Sequence, residues 1–270
     1  MMASRPARRA YGGAWWIATA TAAAVGACGL IASSPLESGT STIALRGRPQ
    51  QLHVFGQRGS TPVIVSSSDG GWVRLGPHIA DVLGRHGYFV VGFDSKAYLE
   101  SFTSGTETLK PADEPGDYRT LVDFARDGAR LKPTLIGVSE GAGLSVLAAT
   151  DADLKKSISG VVGVGLPDLT ELAWRWKDAV IYVTHGVPNE PTFSTAAIIN
   201  QVAPVPLSVV HASHDDFVPL PEISRILSHA GEPKQLRIVE TSSHRFEDAL
   251  PVFDRELLAA LDWIRSQSAR

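Results

Sequence analysis

The sequence predicts an α/β fold, a mostly parallel, doubly wound sheet with helices on both faces, and three observations predict it. Short runs rich in Val and Ile recur without polar alternation, as in strands covered on both faces. Helix-like stretches separate those runs in a strand-helix-strand rhythm. A glycine-flanked serine sits where one run passes into a helix, and sheets of this kind bind ligands at the carboxyl ends of their strands.

The elements follow in order. QLHVF (51–55) and PVIVS (62–66) are apolar runs of strand length, followed by a periodic helical segment from Leu75 to His86 and by YFVVGF (88–93). A helix near Tyr118–Arg126 leads into TLIGV (134–138), and the Ala, Gly, Leu and Val residues from Glu140 to Ala149 form a small-residue helix. SGVVGVG (159–165), AVIYVTH (179–185), PLSVVH (206–211) and QLRIVE (235–240) are further strands, and a long helix ends the chain. Two stretches break the rhythm, Ser95–Gly116 and Leu166–Ala203. Long irregular insertions in a compact domain are often lids or binding loops.

Composition sets the bounds. A chain of 270 residues with 44% hydrophobic side chains can bury a large core, and 25 basic against 28 acidic residues leave no cationic excess for nucleic acid. One cysteine, Cys28, excludes an intrachain disulfide framework and any thiolate cluster for zinc or iron–sulfur, and the serine chemistry read below requires no metal or organic cofactor. Arg5, Arg8 and Arg9 are the only charges before Glu37, and Ala14 to Ala32 is apolar or small, a basic segment followed by an apolar one. Residues 1–34 are therefore read as an export signal or a membrane or lipid anchor, 35–40 as a linker and 41–270 as the folded domain. Nineteen weakly hydrophobic residues favour cleavage over a stable span. Val25-Gly26-Ala27-Cys28 resembles a bacterial lipobox, which would lipidate Cys28; the other reading is a small residue of the apolar segment that happens to be cysteine.

Chemistry is carried by Gly137-Val138-Ser139-Glu140-Gly141, a G-x-S-x-G between a strand and a helix. The sharp turn strains the serine and lifts its hydroxyl above the sheet edge. A serine needs a base, and the base an orienting acid, each after its own strand. Asp215 follows PLSVVH and His244 follows QLRIVE, so the order Ser139, Asp215, His244 is that of an α/β-hydrolase. His214 competes with His244, and Asp216 with Asp215; His244 is preferred because its loop is the last before the terminal helix, Asp215 because D-x-x-V-P recurs after strands of this fold. Oxyanion donors are expected from the backbone N–H of Glu140 and from that of Asp69 or Gly70, in the Ser66–Trp72 loop.

Together SSSDGGW (66–72), VVGFDSKAYL (90–99), GVSEGAG (137–143), GLPDL (165–169), HDDFVPL (214–220) and SHRF (243–246) resemble the VirJ/AcvB family of bacterial virulence proteins. The resemblance implies an α/β-hydrolase exported to the periplasm, with Ser139, Asp215 and His244 as its triad. It implies as substrate an aminoacylated phospholipid such as lysyl-phosphatidylglycerol, met at a membrane surface, and protein partners in the envelope. Asp69, Glu140, Asp168 and Glu190 would favour a cationic aminoacyl group, and Trp72, Asp168 and Glu190 are candidate substrate contacts. Trp174 and Trp176 suit either a membrane interface or the core, the core being preferred. The other functions weighed are a periplasmic carboxylesterase for a small soluble ester and a non-catalytic envelope binding module.

Overall fold

The computed structural model describes residues 39–175 and 190–268. The strands of the main sheet are β1 (Gly39–Leu45), β2 (Arg48–Phe55), β3 (Thr61–Ser66), β4 (Tyr88–Phe93), β5 (Thr134–Val138), β6 (Gly160–Val164), β9 (Leu207–Ala212) and β10 (Lys234–Val239). Their spatial order is β1-β2-β4-β3-β5-β6-β9-β10. Only β1 and β2 run antiparallel to their neighbours; every pair from β4 through β10 is parallel.

Side chains alternate across this sheet and fill two cores. Val63, Val65, Val90, Ile136, Val162 and Val210 face the helices α1 (Leu75–Arg85) and α7 (Leu250–Ser268), meeting Ile79, Phe253 and Leu257. Ile64, Val91, Leu135, Val161 and Val209 face the other way, toward α2 (Ser95–Phe102), α3 (Glu114–Arg126), α4 (Glu140–Ala148) and α6 (Leu220–Ser228). This is why the runs lack polar alternation: a strand buried on both faces has no solvent side. The edges differ. Leu236 and Ile238 of β10 are 36% and 40% exposed, and β1 alternates exposed with half-buried residues.

Four expectations need correction. Strand β1 begins at Gly39 rather than after the linker, because it pairs with β2 along its whole length and takes up the last two residues assigned to the linker. Ser95–Gly116 is not one irregular stretch: it holds α2 and the first turn of α3. The Asp94 carboxylate accepts the Ala97 N–H at 3.1 Å and starts α2, whose eight residues are too few to show a clear period. Leu166–Ala203 contains a small antiparallel pair, β7 (Leu169–Glu171) with β8 (Thr192–Ser194), then a short helix α5 (Thr195–Ile198). The antiparallel edge, β1, was not foreseen. AVIYVTH, Trp176, Cys28 and the signal segment lie outside the described residues. Trp174 packs in the core, its ring under Lys96 Nζ at 3.8 Å.

Phe253 is fully buried and packs on Phe246 at a centroid distance of 4.7 Å. Phe253→Ala should cost about 3–5 kcal/mol in chemical denaturation, against less than about 1 kcal/mol for Leu236→Ala on the exposed edge. Comparable losses would contradict the placement of the second core between α7 and the sheet.

Candidate active site

The strand β5 ends at Val138 and α4 begins at Glu140, so the chain reverses through Ser139 alone. Ser139 has φ 50° and ψ −113°, a conformation that L-residues rarely hold. Its N–H donates to Val164 O at 2.8 Å, and its carbonyl accepts from Ala142 N–H at 2.8 Å. Glycine is required beside it: a Cβ at Gly141 would lie 2.4 Å from Ser67 O and 2.5 Å from Ser66 O. The end of β3 and the following loop are thereby pressed against the first turn of α4. Among the described residues neither the Glu140 nor the Asp69 N–H has an acceptor, whereas the Gly70 N–H reaches Ser68 Oγ at 3.3 Å. Of the two loop donors foreseen, the Asp69 N–H is the available one.

Asp215 and His244 come together from separate loops. His244 Nδ1 lies 2.6 Å from Asp215 Oδ2, and the Asp215 side chain is fully buried. Asp215 Oδ1 accepts the Phe217 and Val218 N–H groups, both at 2.9 Å. Burial alone would raise this carboxyl; the His244 ring and the two N–H donors outweigh it and hold the group below its ordinary value. Asp216 and His214 are exposed, and the His214 ring meets Ser213 Oγ and Glu240.

The ring reaches the serine turn through Gly165. This glycine has φ +57°, and a Cβ on it would come within 2.7 Å of His244 Cε1. Gly165 directly follows Val164, whose carbonyl holds the Ser139 N–H, so ring and serine flank one peptide. Ser139 Oγ makes no hydrogen bond among the described residues, and such contacts are often loose before substrate binds. Phe246, at φ 57°, buries its ring two residues beyond His244 and anchors that loop, while Phe217 lies 5.2 Å from the imidazole.

The structure uses the remaining candidates differently. Asp168 accepts from Ser194 Oγ at 2.7 Å and Ala196 N–H at 3.0 Å and pairs with Arg225 at 2.5 Å, which makes it a brace between β8, α5 and α6. Glu190 pairs with Arg175. Trp72 stacks on His53 at 4.8 Å and covers Gly92, where a Cβ would lie 2.1 Å from its ring, so it packs on the sheet. Each of these three residues thus has a partner within the fold.

Sequence reasoning missed Gly165, Phe246, Glu171 and His211. The Glu140 carboxyl is buried and accepts the Glu171 N–H; burial, then Glu171, then Asp69 push it well above the ordinary carboxylate range. His211 Nε2 donates to Val218 O at 2.8 Å, bracing the turn that carries Asp215, and burial lowers its pKa. Only Gly165 left a signal, as the last glycine of a strand run. Among the described residues, no three His, Cys, Asp or Glu side chains converge to hold a metal, and no helix is long and apolar enough to cross a membrane.

Comparison with known proteins places the fold. No curated protein sequence matches the chain. Solved structures that resemble it include an α/β-hydrolase, GrgF, from Penicillium sp. sh18, with TM-score 0.63 and 14% identity over 87% of this chain and 100% of that one. Est1E from Butyrivibrio proteoclasticus gives 0.61 and 13% over 86% and 100%, and a membrane phospholipase A described as a bacterial virulence factor gives 0.61 and 11% over 84% and 87%. At these identities the likeness speaks for the fold, which is that of the α/β-hydrolases. The family described as bacterial virulence protein (VirJ) matches residues 60–175, which contain the Ser66–Trp72 loop and the serine turn. Over that segment the chain is similar to the VirJ family, and its fold is that of the α/β-hydrolases.

Proposed function

We propose that the protein is an exported serine hydrolase that cleaves an ester by acyl transfer to Ser139, with the aminoacyl ester of a phospholipid such as lysyl-phosphatidylglycerol as its substrate. The observation that carries the chemistry is the His244 ring, joined to buried Asp215 at 2.6 Å and resting on Gly165 beside the strained serine. With Asp215 accepting from Nδ1, the Nε2 lone pair is left to take the Ser139 proton as Oγ attacks the ester carbonyl. The imidazolium then protonates the leaving alcohol oxygen, the C–O ester bond breaks, and the acyl group remains on Ser139. Water, deprotonated by the same ring, releases it. The N–H groups of Glu140 and Asp69 meet the oxyanion, at the positive end of α4.

The donor at residue 140 works only if its own side chain is uncharged. An ionised Glu140 would place negative charge beside the developing oxyanion and oppose it. Burial next to Glu171 keeps the group protonated instead.

Support for the substrate comes from the VirJ family match and from Asp69, a half-buried carboxylate of the loop facing the serine turn that pairs with no cation among the described residues. A cationic aminoacyl group would supply that partner. The charge pattern of residues 1–36 supports export, and a membrane surface would present the lipid.

Incubation with vesicles containing lysyl- or alanyl-phosphatidylglycerol tests the reading: wild type releases the amino acid, with lysine preferred. Ser139→Ala and His244→Ala should each lower the rate by at least about 10³-fold, and Asp215→Asn by about 10³–10⁴-fold. Hydrolysis of soluble esters without release from either lipid would keep the triad and reject the lipid.

Protonation of Glu140 has its own signature. Glu140 and the buried Glu114 keep their protons in the folded chain, whereas the unfolded chain loses them at the ordinary carboxylate value. The contribution of these two groups to stability therefore falls as pH rises above that value, since the folded state holds their protons. Glu140→Gln keeps the acceptor for the Glu171 N–H and removes the proton, so it should gain stability relative to wild type as pH rises above the ordinary carboxylate value. A difference that does not change with pH would mean that Glu140 is ionised in the fold.

A further inference from the structure

The amino ends of the strands, opposite the serine, carry a cavity of about 770 Å³. Thr61, Tyr88, Thr134, Ser159 and Pro206 line it, at or just before the starts of β3, β4, β5, β6 and β9. Strands of five or six residues rising about 3.3 Å each set it on the order of 15–20 Å from Ser139, so this space is not part of the hydrolytic site.

Two chemistries meet there. Ile158, Val205, Leu261 and Ile264 are core side chains that also line the cavity, and Leu131, 54% exposed, stands with them. Every charged residue of the lining is basic: Arg130, Lys132, Lys155, Lys156 and Arg265. Lys156 pairs with Asp153 at 2.9 Å and Arg265 with Asp262. Arg130, Lys132 and Lys155 pair with no carboxylate among the described residues; Lys155 Nζ is held instead by the carbonyls of Gln201 at 2.6 Å and Ala203 at 3.4 Å. Neutral acceptors position that ammonium and leave its charge uncompensated. In a chain with three more acidic than basic side chains, neither folding nor ester hydrolysis accounts for cations gathered around an apolar hollow.

We propose that this cavity is a second ligand site, which takes a single anionic amphiphile. Its carboxylate or phosphate head meets Arg130, Lys132 and Lys155, and its alkyl chain lies against Leu131 and the wall that Ile158, Val205, Leu261 and Ile264 back. The volume is that of a site for one small molecule. A flat bilayer would touch the cations at the rim and leave the apolar floor unfilled, so the concavity favours a lone molecule over a membrane surface. The site stands independently of the chemistry at Ser139, from which the length of the strands separates it.

Calorimetric titration of the whole protein tests this, with dodecanoate, dodecyl phosphate, dodecyltrimethylammonium and inorganic phosphate, all as monomers, and with phosphatidylglycerol vesicles in a separate arm. The two anionic amphiphiles should bind saturably, one molecule per chain, and the cationic one should not bind. Arg130→Glu combined with Lys132→Glu, both exposed and away from the serine, should weaken that binding by about tenfold or more and leave the rate of ester hydrolysis unchanged. Lys155→Gln should weaken it as well, which keeps the test available if the charge reversal impairs folding. Equal binding of the cationic amphiphile, unchanged affinity in these variants, or inorganic phosphate binding as tightly as dodecyl phosphate would overturn the proposal. Binding to the vesicles alone would also overturn it and make this end a membrane-docking surface.

Discussion

The approach of the Ser66 and Ser67 carbonyls to Gly141 is the contact on which the carboxyl end of the sheet depends. Two backbones meet there without a side chain between them, and that closeness lets α4 start one residue after β5. Gly137 packs against the same turn, where a Cβ would lie 2.1 Å from Gly141 O. Ser139 is left no room for relaxed dihedrals, a strain of about 1–3 kcal/mol at such positions. It persists because all nine residues of α4 are buried, so relaxing the turn would mean moving a helix that is packed all round. The same contact brings the loop after β3, which holds the Asp69 N–H, to the helix start at Glu140, and the proposed reaction would use both groups.

Around this centre, buried polar groups act as braces. Tyr118 and Ser66 share a hydrogen bond of 2.8 Å at the end of β3, and His211 fixes the Val218 carbonyl under Asp215. The Asp168 carboxylate ties the loop after β6 to β8 and α6, and Glu140 takes the Glu171 N–H to seat the small hairpin over α4. Each brace satisfies a group that burial would otherwise leave unpaired, and each fixes a loop at the end of a strand. Rigid loops on a rigid sheet are what a site made from three separate loops requires.

Much of this was legible before the coordinates. Runs such as TLIGV and PLSVVH announce parallel strands because both faces are covered, and the order Ser139, Asp215, His244 follows from three loops after three such runs. The unread elements have physical reasons. The edge strand β1 turns only Ile43 and Leu45 toward the core among small and polar residues, too few to mark a pattern, and α2 spans only two turns. Asp168, Glu190 and Trp72 lie in loops near the right strand ends, but their partners, Arg225, Arg175 and the sheet, depend on side-chain direction, which spacing does not encode. Glu171 and His211 act through a backbone N–H and a backbone carbonyl, and residue type alone does not reveal such roles. Cations from the 130–132 loop, the 155–156 turn and the terminal helix converge only in three dimensions, so the cavity they surround leaves no motif.

The central claim is that Ser139 is a nucleophile activated by the His244–Asp215 pair, and a fluorophosphonate probe tests it most directly. The account predicts one covalent adduct per chain, mapped by mass spectrometry to Ser139, abolished in Ser139→Ala and strongly slowed in His244→Ala. No adduct, an adduct on another residue, or labelling of the His244→Ala variant at the wild-type rate would contradict it.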